Sequence, residues 1–141
     1  MSVQTYWLPH SSQIIYQKYS TTFNYPMFRT ALLEMRRLLM STDAPLFVII
    51  DYRSVEQVQP FSMLRGGVLI ENVRTPNAVG GVAIARAGSF IFRYNALWMR
   101  LGRMIGSQAA FDFELTTTPE SAMQIIEQMA QKHGIELVSP T

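Results

Sequence analysis

The sequence predicts an α/β domain built on a mixed five-stranded sheet with four main helices, and three observations carry that prediction. The run Pro45-Leu46-Phe47-Val48-Ile49-Ile50 closes on Asp51, and a short apolar stretch bounded by Pro and a polar end reads as a strand covered on both faces. It follows an apolar helix that opens at Tyr25-Pro26-Met27, and helix and strand signals alternate from there to the last helix. Two aromatic and β-branched runs on either side of a short polar turn precede the alternation and predict an antiparallel hairpin.

In chain order, Thr5-Tyr6-Trp7-Leu8 and Ile14-Ile15-Tyr16-Gln17-Lys18-Tyr19 form that hairpin around Pro9-His10-Ser11-Ser12. Gln17 and Lys18 suit a partly solvated strand near a sheet edge. Ser20 to Asn24 leads into the first helix. There Phe28, Ala31, Leu32, Met35, Leu38 and Leu39 recur at helical spacing, with Asn24 or Tyr25 as N-cap and Pro26 in the first turn, where its missing N–H has no intrahelical partner. Ser41-Thr42-Asp43 ends it. After the buried strand, residues 51–59 read as a connection to a helix that Pro60 starts, with Phe61, Leu64 and Val68 on one face. Gly66-Gly67 in its middle costs about 1 kcal/mol per residue relative to Ala, so packing has to hold it. Val79 to Ala85, small and apolar, predicts a central strand, and Arg86-Ala87-Gly88-Ser89 turns into a helix from about Phe90 to Met104. Phe111-Asp112-Phe113-Glu114-Leu115 alternates with the period of a half-solvated strand. Thr118-Pro119-Glu120 combines an N-cap, Pro at the first helical position and an acid in the first turn. Ala122, Ile125, Ile126 and Met129 make the last helix's buried stripe, and Gly134 stops it after His133.

With 141 residues the chain fits a single domain over 1–141, with a core of about 5–134 and a tail over 135–141. The chain has no cysteine, which removes disulfides, thiolate nucleophiles and zinc–thiolate sites together. The longest apolar runs fall well short of the ~20 residues that span a bilayer, and a cytoplasmic protein is the expectation. Twelve cations against ten anions is too even a balance for a phosphate-backbone footprint, so no nucleic-acid partner is expected. The cations are ten Arg and two Lys, and guanidinium is favoured at interfaces and anion sites.

No pattern predicts a catalytic residue, a cofactor or a metal. There is no G-x-S-x-G nucleophile elbow, and no two imidazoles, or imidazole and carboxylate, fall at ligand spacing. His10 falls in a turn, and His133 has a sufficient structural reason at a helix C-terminus. Neither Gly66-Gly67 nor Gly80-Gly81 lies in a phosphate-loop pattern. Asp51 is the leading polar candidate, because open α/β sheets place ligands beyond the carboxyl ends of their strands. Arg53 and Ser54 stand beside it as ligand or anion candidates. The plainer expectation is that the Asp51 carboxylate caps backbone N–H groups of the following turn. On the helix from Phe90, a 100° projection puts Phe90, Tyr94, Leu97, Leu101, Met104 and Ile105 on the core face. Phe92 and Met99 point nearly opposite, flanked by Arg93, Arg100 and Arg103. An apolar patch rimmed by Arg is an interface candidate, for a second copy of the chain or another partner.

The element order strand, strand, helix, strand, helix, strand, helix, strand, helix is similar to the STAS domain from about residue 5 to residue 134. The residues carrying the resemblance are Val48-Ile49-Ile50-Asp51-Tyr52-Arg53-Ser54-Val55, similar to the family's apolar strand ending in Asp, and Thr118-Pro119-Glu120-Ser121-Ala122, which resembles the start of its last helix. In the anti-sigma-factor antagonist branch an Asp-Ser-Ser-Gly segment opens the second helix with the Ser that a partner kinase phosphorylates. This chain has Gln59-Pro60-Phe61-Ser62 there; the acid and the paired serines are gone, and Ser62 is the one hydroxyl the resemblance leaves as a phospho-acceptor. The resemblance implies a divergent, standalone STAS-like protein; with so few catalytic candidates the expectation is a non-enzymatic regulatory or protein-interaction module with a regulatory protein partner, and the Arg-rimmed patch makes a homodimer the expected assembly. One alternative is a carrier or sensor of an apolar small molecule held between helices and sheet, as in related folds of the CRAL-TRIO type. Another is an enzyme using Asp51 and an arginine on an anionic substrate.

Overall fold

Alternation along the strands sorts the apolar residues into two layers, and this decides where the helices sit. In the computed structural model, which describes residues 2–9, 11–58, 75–105 and 112–137 and only the backbone of residues 2 and 98–105, the elements are β1 (Ser2–Trp7), β2 (Ile14–Phe23), α1 (Tyr25–Leu39), β3 (Leu46–Val58), β4 (Ala78–Ile84), α2 (Phe90–Ile105), β5 (Asp112–Thr116) and α3 (Pro119–Lys132). The strand order in the sheet is the order in the sequence. β1 pairs antiparallel with β2, and β2–β3, β3–β4 and β4–β5 are parallel. This is the mixed five-stranded sheet expected. Three helices lie among the described residues; the helix expected from Pro60, with Gly66-Gly67 and Ser62, lies outside them, as does His10.

Ile15, Tyr19, Phe23, Val48, Ile50 and Ala83 face one side of the sheet and pack with Met27, Phe28, Ala31, Leu32 and Met35 of α1 and Ile91 of α2. Ile14, Tyr16, Phe47, Ile49, Val82 and Ile84 face the other side and pack with Ala122, Ile126, Met129 and Ala130 of α3. The parallel connections through α1 and α2 each step one strand over in the same direction, so crossovers of one hand place both helices on one face. Among the described residues, α3, which follows the last strand, is the helix that covers the other.

The caps follow the sequence signals. Asn24 accepts a hydrogen bond from the Met27 N–H at 2.9 Å with Pro26 in the first turn, and Thr118 accepts one from the Ser121 N–H at 3.1 Å. Gly134 adopts φ +69°, the left-handed conformation that ends α3 cheaply.

Two expectations need correction. β2 runs on to Phe23 and β3 to Val58, so residues 51–58 are strand and Asp51 is not the strand's end. Beyond Asp51 β3 leaves β4 and, among the described residues, continues along β2 alone, with register shifts where β3 carries an extra residue. Its polar residues there are those of a strand with solvent on one side, which is why they read as a loop. On α2, Phe90 and Leu97 are 54% and 50% exposed, whereas Ile91 is buried and Phe92 is half-buried against the core. Phe92 therefore faces inward, and the helix is rotated from its expected phase. Apolar residues lie almost all round its first two turns, so the docking of Ile91 rather than the average of the pattern sets the face.

Candidate functional site

The polar candidates from the sequence meet where β3 parts from β4. Asp51 is the last β3 residue paired with β4, opposite Ile84, and its neighbour on β2 is Lys18. The next pair along is Ser20 with Ser54, so two residues of β2 span three of β3. Such a bulge re-aims backbone groups. Here the Arg53 N–H donates to Asp51 Oδ1 at 3.0 Å, the local capping duty expected of this Asp.

Three side-chain donors complete the shell. Arg53 grips the carboxylate through both prongs of its guanidinium, Nε to Oδ1 at 3.0 Å and Nη2 to Oδ2 at 2.8 Å. The Tyr16 hydroxyl donates to Oδ2 at 2.5 Å. Asp51 is 1% exposed and Tyr16 is 8% exposed, with its ring stacked on Tyr6 at 5.5 Å between centroids. Four donors reach the two oxygens, which matches the roughly four lone-pair sites an ionised carboxylate offers.

Burial pushes the Asp51 carboxyl upward, but the Arg53 guanidinium, the Tyr16 hydroxyl and the Arg53 N–H outweigh it and hold the group below the usual carboxylate range. For Tyr16 burial and the facing carboxylate act together and push the phenol well up, so it stays protonated and donates. Arg53 is raised by the same carboxylate. The cluster is a charged pair plus a neutral phenol, an arrangement suited to holding β2 and β3 together.

Of the residues singled out from sequence, the structure brings Asp51 and Arg53 together. Ser54 is exposed and is not among the groups bonded to that carboxylate. Tyr16 is the member that sequence reasoning missed, since it reaches Asp51 only through the β2–β3 register. Arg93 is exposed on α2, while the side chains of Met99, Arg100 and Arg103 lie outside the described residues. A second buried polar group, Gln17, donates to the Ala31 carbonyl at 2.8 Å and to Thr5 Oγ1 at 3.1 Å, and accepts from the Tyr19 hydroxyl at 2.7 Å. It ties β1, β2 and α1 together. No helix among the described residues is long and apolar enough to cross a membrane.

No protein-family model and no curated protein matches this chain. Solved structures do. A DUF3478-family protein with a SpoIIAA-like fold from Shewanella loihica PV-4 is similar at TM-score 0.56 and 8% identity, over 88% of this chain and 91% of that one. An anti-sigma factor antagonist from Mycobacterium paratuberculosis is similar at TM-score 0.56 and 18% identity, over 89% of this chain and 95% of that one. At such identities the likeness speaks for the fold, and it extends over nearly the full length of all three chains. The sheet order, the pair of helices on one face and these two likenesses together show that this chain has a STAS-like α/β fold of the SpoIIAA type.

Proposed function

We propose that this STAS-like domain is a non-enzymatic interaction module that works as a homodimer and docks a regulatory protein partner. The observation that carries the reading is the saturated Asp51 carboxylate. An enzyme using Asp51 with an arginine on an anionic substrate needs a free carboxylate oxygen and a free guanidinium edge. Here Arg53 and Tyr16 occupy both oxygens, and the guanidinium spends its bidentate edge on Asp51. Likeness in fold to an anti-sigma factor antagonist supports a regulatory protein as the partner class. The carrier reading is disfavoured by the filled layer beneath α1, where the rings of Tyr19, Phe23, Phe28 and Tyr52 pack with centroids from 4.9 to 6.0 Å apart.

The partner surface in this reading is the outer side of α2, where Phe90 and Leu97 lie one heptad apart with Arg93 exposed between them. Large apolar side chains next to arginine are the usual composition of docking patches. The test pairs native mass spectrometry with affinity capture, using wild type and Phe90→Asp with Leu97→Asp. A dimeric wild type that retains a specific protein, and a folded, dimeric double variant that releases it, support the reading. A wild type carrying a reproducible small-molecule adduct and no protein overturns it in favour of the carrier.

A further inference from the structure

The two edges of the sheet are built differently. β5 is short and places Asp112 and Glu114 on its edge, a common way of discouraging strand addition. β1 has the sequence Ser-Val-Gln-Thr-Tyr-Trp, without a charge or a proline, and its register with β2 is unbroken from Ser2 to Trp7. Among the described residues no strand pairs with its outer side. The Leu8 N–H bonds to the Ile14 carbonyl. Because antiparallel residues alternate in direction, Tyr6 and Gln4 also point their backbone groups at β2, and those of Val3, Thr5 and Trp7 point outward.

We propose that the outer edge of β1 pairs antiparallel with β1 of a second copy, giving a continuous ten-stranded sheet across a two-fold axis at Thr5. The inference deepens the homodimer reading above, on which it rests, by naming the surface where the copies meet. An axis normal to the sheet keeps each face continuous, so residues opposite one another must share a face. Centring it on Thr5 satisfies this and sets Thr5 opposite Thr5, Val3 opposite Trp7, and Gln4 opposite Tyr6. The outward-pointing residues Val3, Thr5 and Trp7 then meet one another, so every exposed N–H and C=O along this stretch gains a partner. The side-chain pairs are β-branched on aromatic, hydroxyl on hydroxyl and amide on phenol, with no like charges opposed. α1 packs over β1 and β2 alike. With strands about 4.8 Å apart, the two α1 helices come to lie about 10 Å apart over the join, the ordinary spacing of packed helices.

The natural absence of cysteine makes cross-linking unambiguous. Opposed residues of a narrow antiparallel pair have Cα atoms about 5.5 Å apart, within disulfide reach. Thr5→Cys should oxidise to a covalent dimer nearly completely, whereas Gln128→Cys, exposed on α3, should not. Val3→Pro removes an outward N–H and none that faces β2, and it leaves the Thr5 hydroxyl on Gln17 in place, so it should keep its circular dichroism and run as a monomer. A wild type that is dimeric in native mass spectra, with no Thr5→Cys cross-link and dissociation caused by Phe90→Asp with Leu97→Asp, overturns the β1 assignment and leaves the homodimer reading standing. A monomeric wild type overturns both.

Discussion

Asp51 is a carboxylate surrounded only by donors, and an amide at the same position cannot satisfy them. In Asp51→Asn one oxygen remains to accept, and the new N–H₂ faces the Arg53 guanidinium or the Tyr16 hydroxyl. Breaking one partner of a buried, hydrogen-bonded pair costs more than the pair contributes. Arg53 keeps a partly exposed side chain and can turn to water, so the expected loss is about 2 to 3 kcal/mol in urea unfolding at neutral pH, with the fold unchanged by circular dichroism. The sign with pH follows from the lowered carboxyl. Its stabilisation is present above the unfolded value near ~4 and is lost as pH falls through the lower folded value. The gap between wild type and Asp51→Asn should therefore shrink in acid; a gap that stays constant to low pH assigns the loss to packing instead. Asp51 and Arg53 were legible in the sequence because they sit two residues apart at the end of an apolar run. Tyr16 was not, because nothing local says that a strand 35 residues earlier lies next to that carboxylate.

At the scale of elements, strands packed against helices were legible and strands running past them were not. β4 was readable as central from its small apolar residues, and the structure gives one reason for the smallness. A Cβ on Gly80 would lie 2.8 Å from the Asp112 carbonyl oxygen and 2.9 Å from Met129 Sδ. The thioether can move, but the backbone of β5 cannot do so without disturbing the β4–β5 ladder. Gly80→Ala is expected to lower stability by about 1 to 3 kcal/mol, measured by thermal or urea unfolding, and an unchanged midpoint would show that β5 yields at its edge. The second half of β3 failed to announce itself because its periodicity is interrupted twice by register shifts, and a two-residue period cannot be followed across an extra residue. α2 announced itself as a helix, but its phase was set by the docking of Ile91 and Phe92.

For the whole molecule, the sheet order predicts a gradient of stability from centre to edge. β3 and β4 pair on both sides and are buried on both faces over Phe47–Ile50 and Val82–Ile84. Among the described residues β1 and β5 each have one partner strand, and β5 is nowhere fully buried. Amide exchange tracks the opening of such units. Residue-resolved exchange should find its slowest amides in the central stretches of β3 and β4 and faster ones in β5. β1 should split by alternation: Gln4, Tyr6 and Leu8 protected by β2, and Val3, Thr5 and Trp7 protected only where a second strand covers them. Raising the protein concentration should then slow those three amides and leave β5 unchanged. Concentration-dependent slowing in α2 instead would move the contact to the Phe90 and Leu97 face. The pattern of alternate protected residues therefore reports, in one measurement, both the strand order of the monomer and the edge through which it grows.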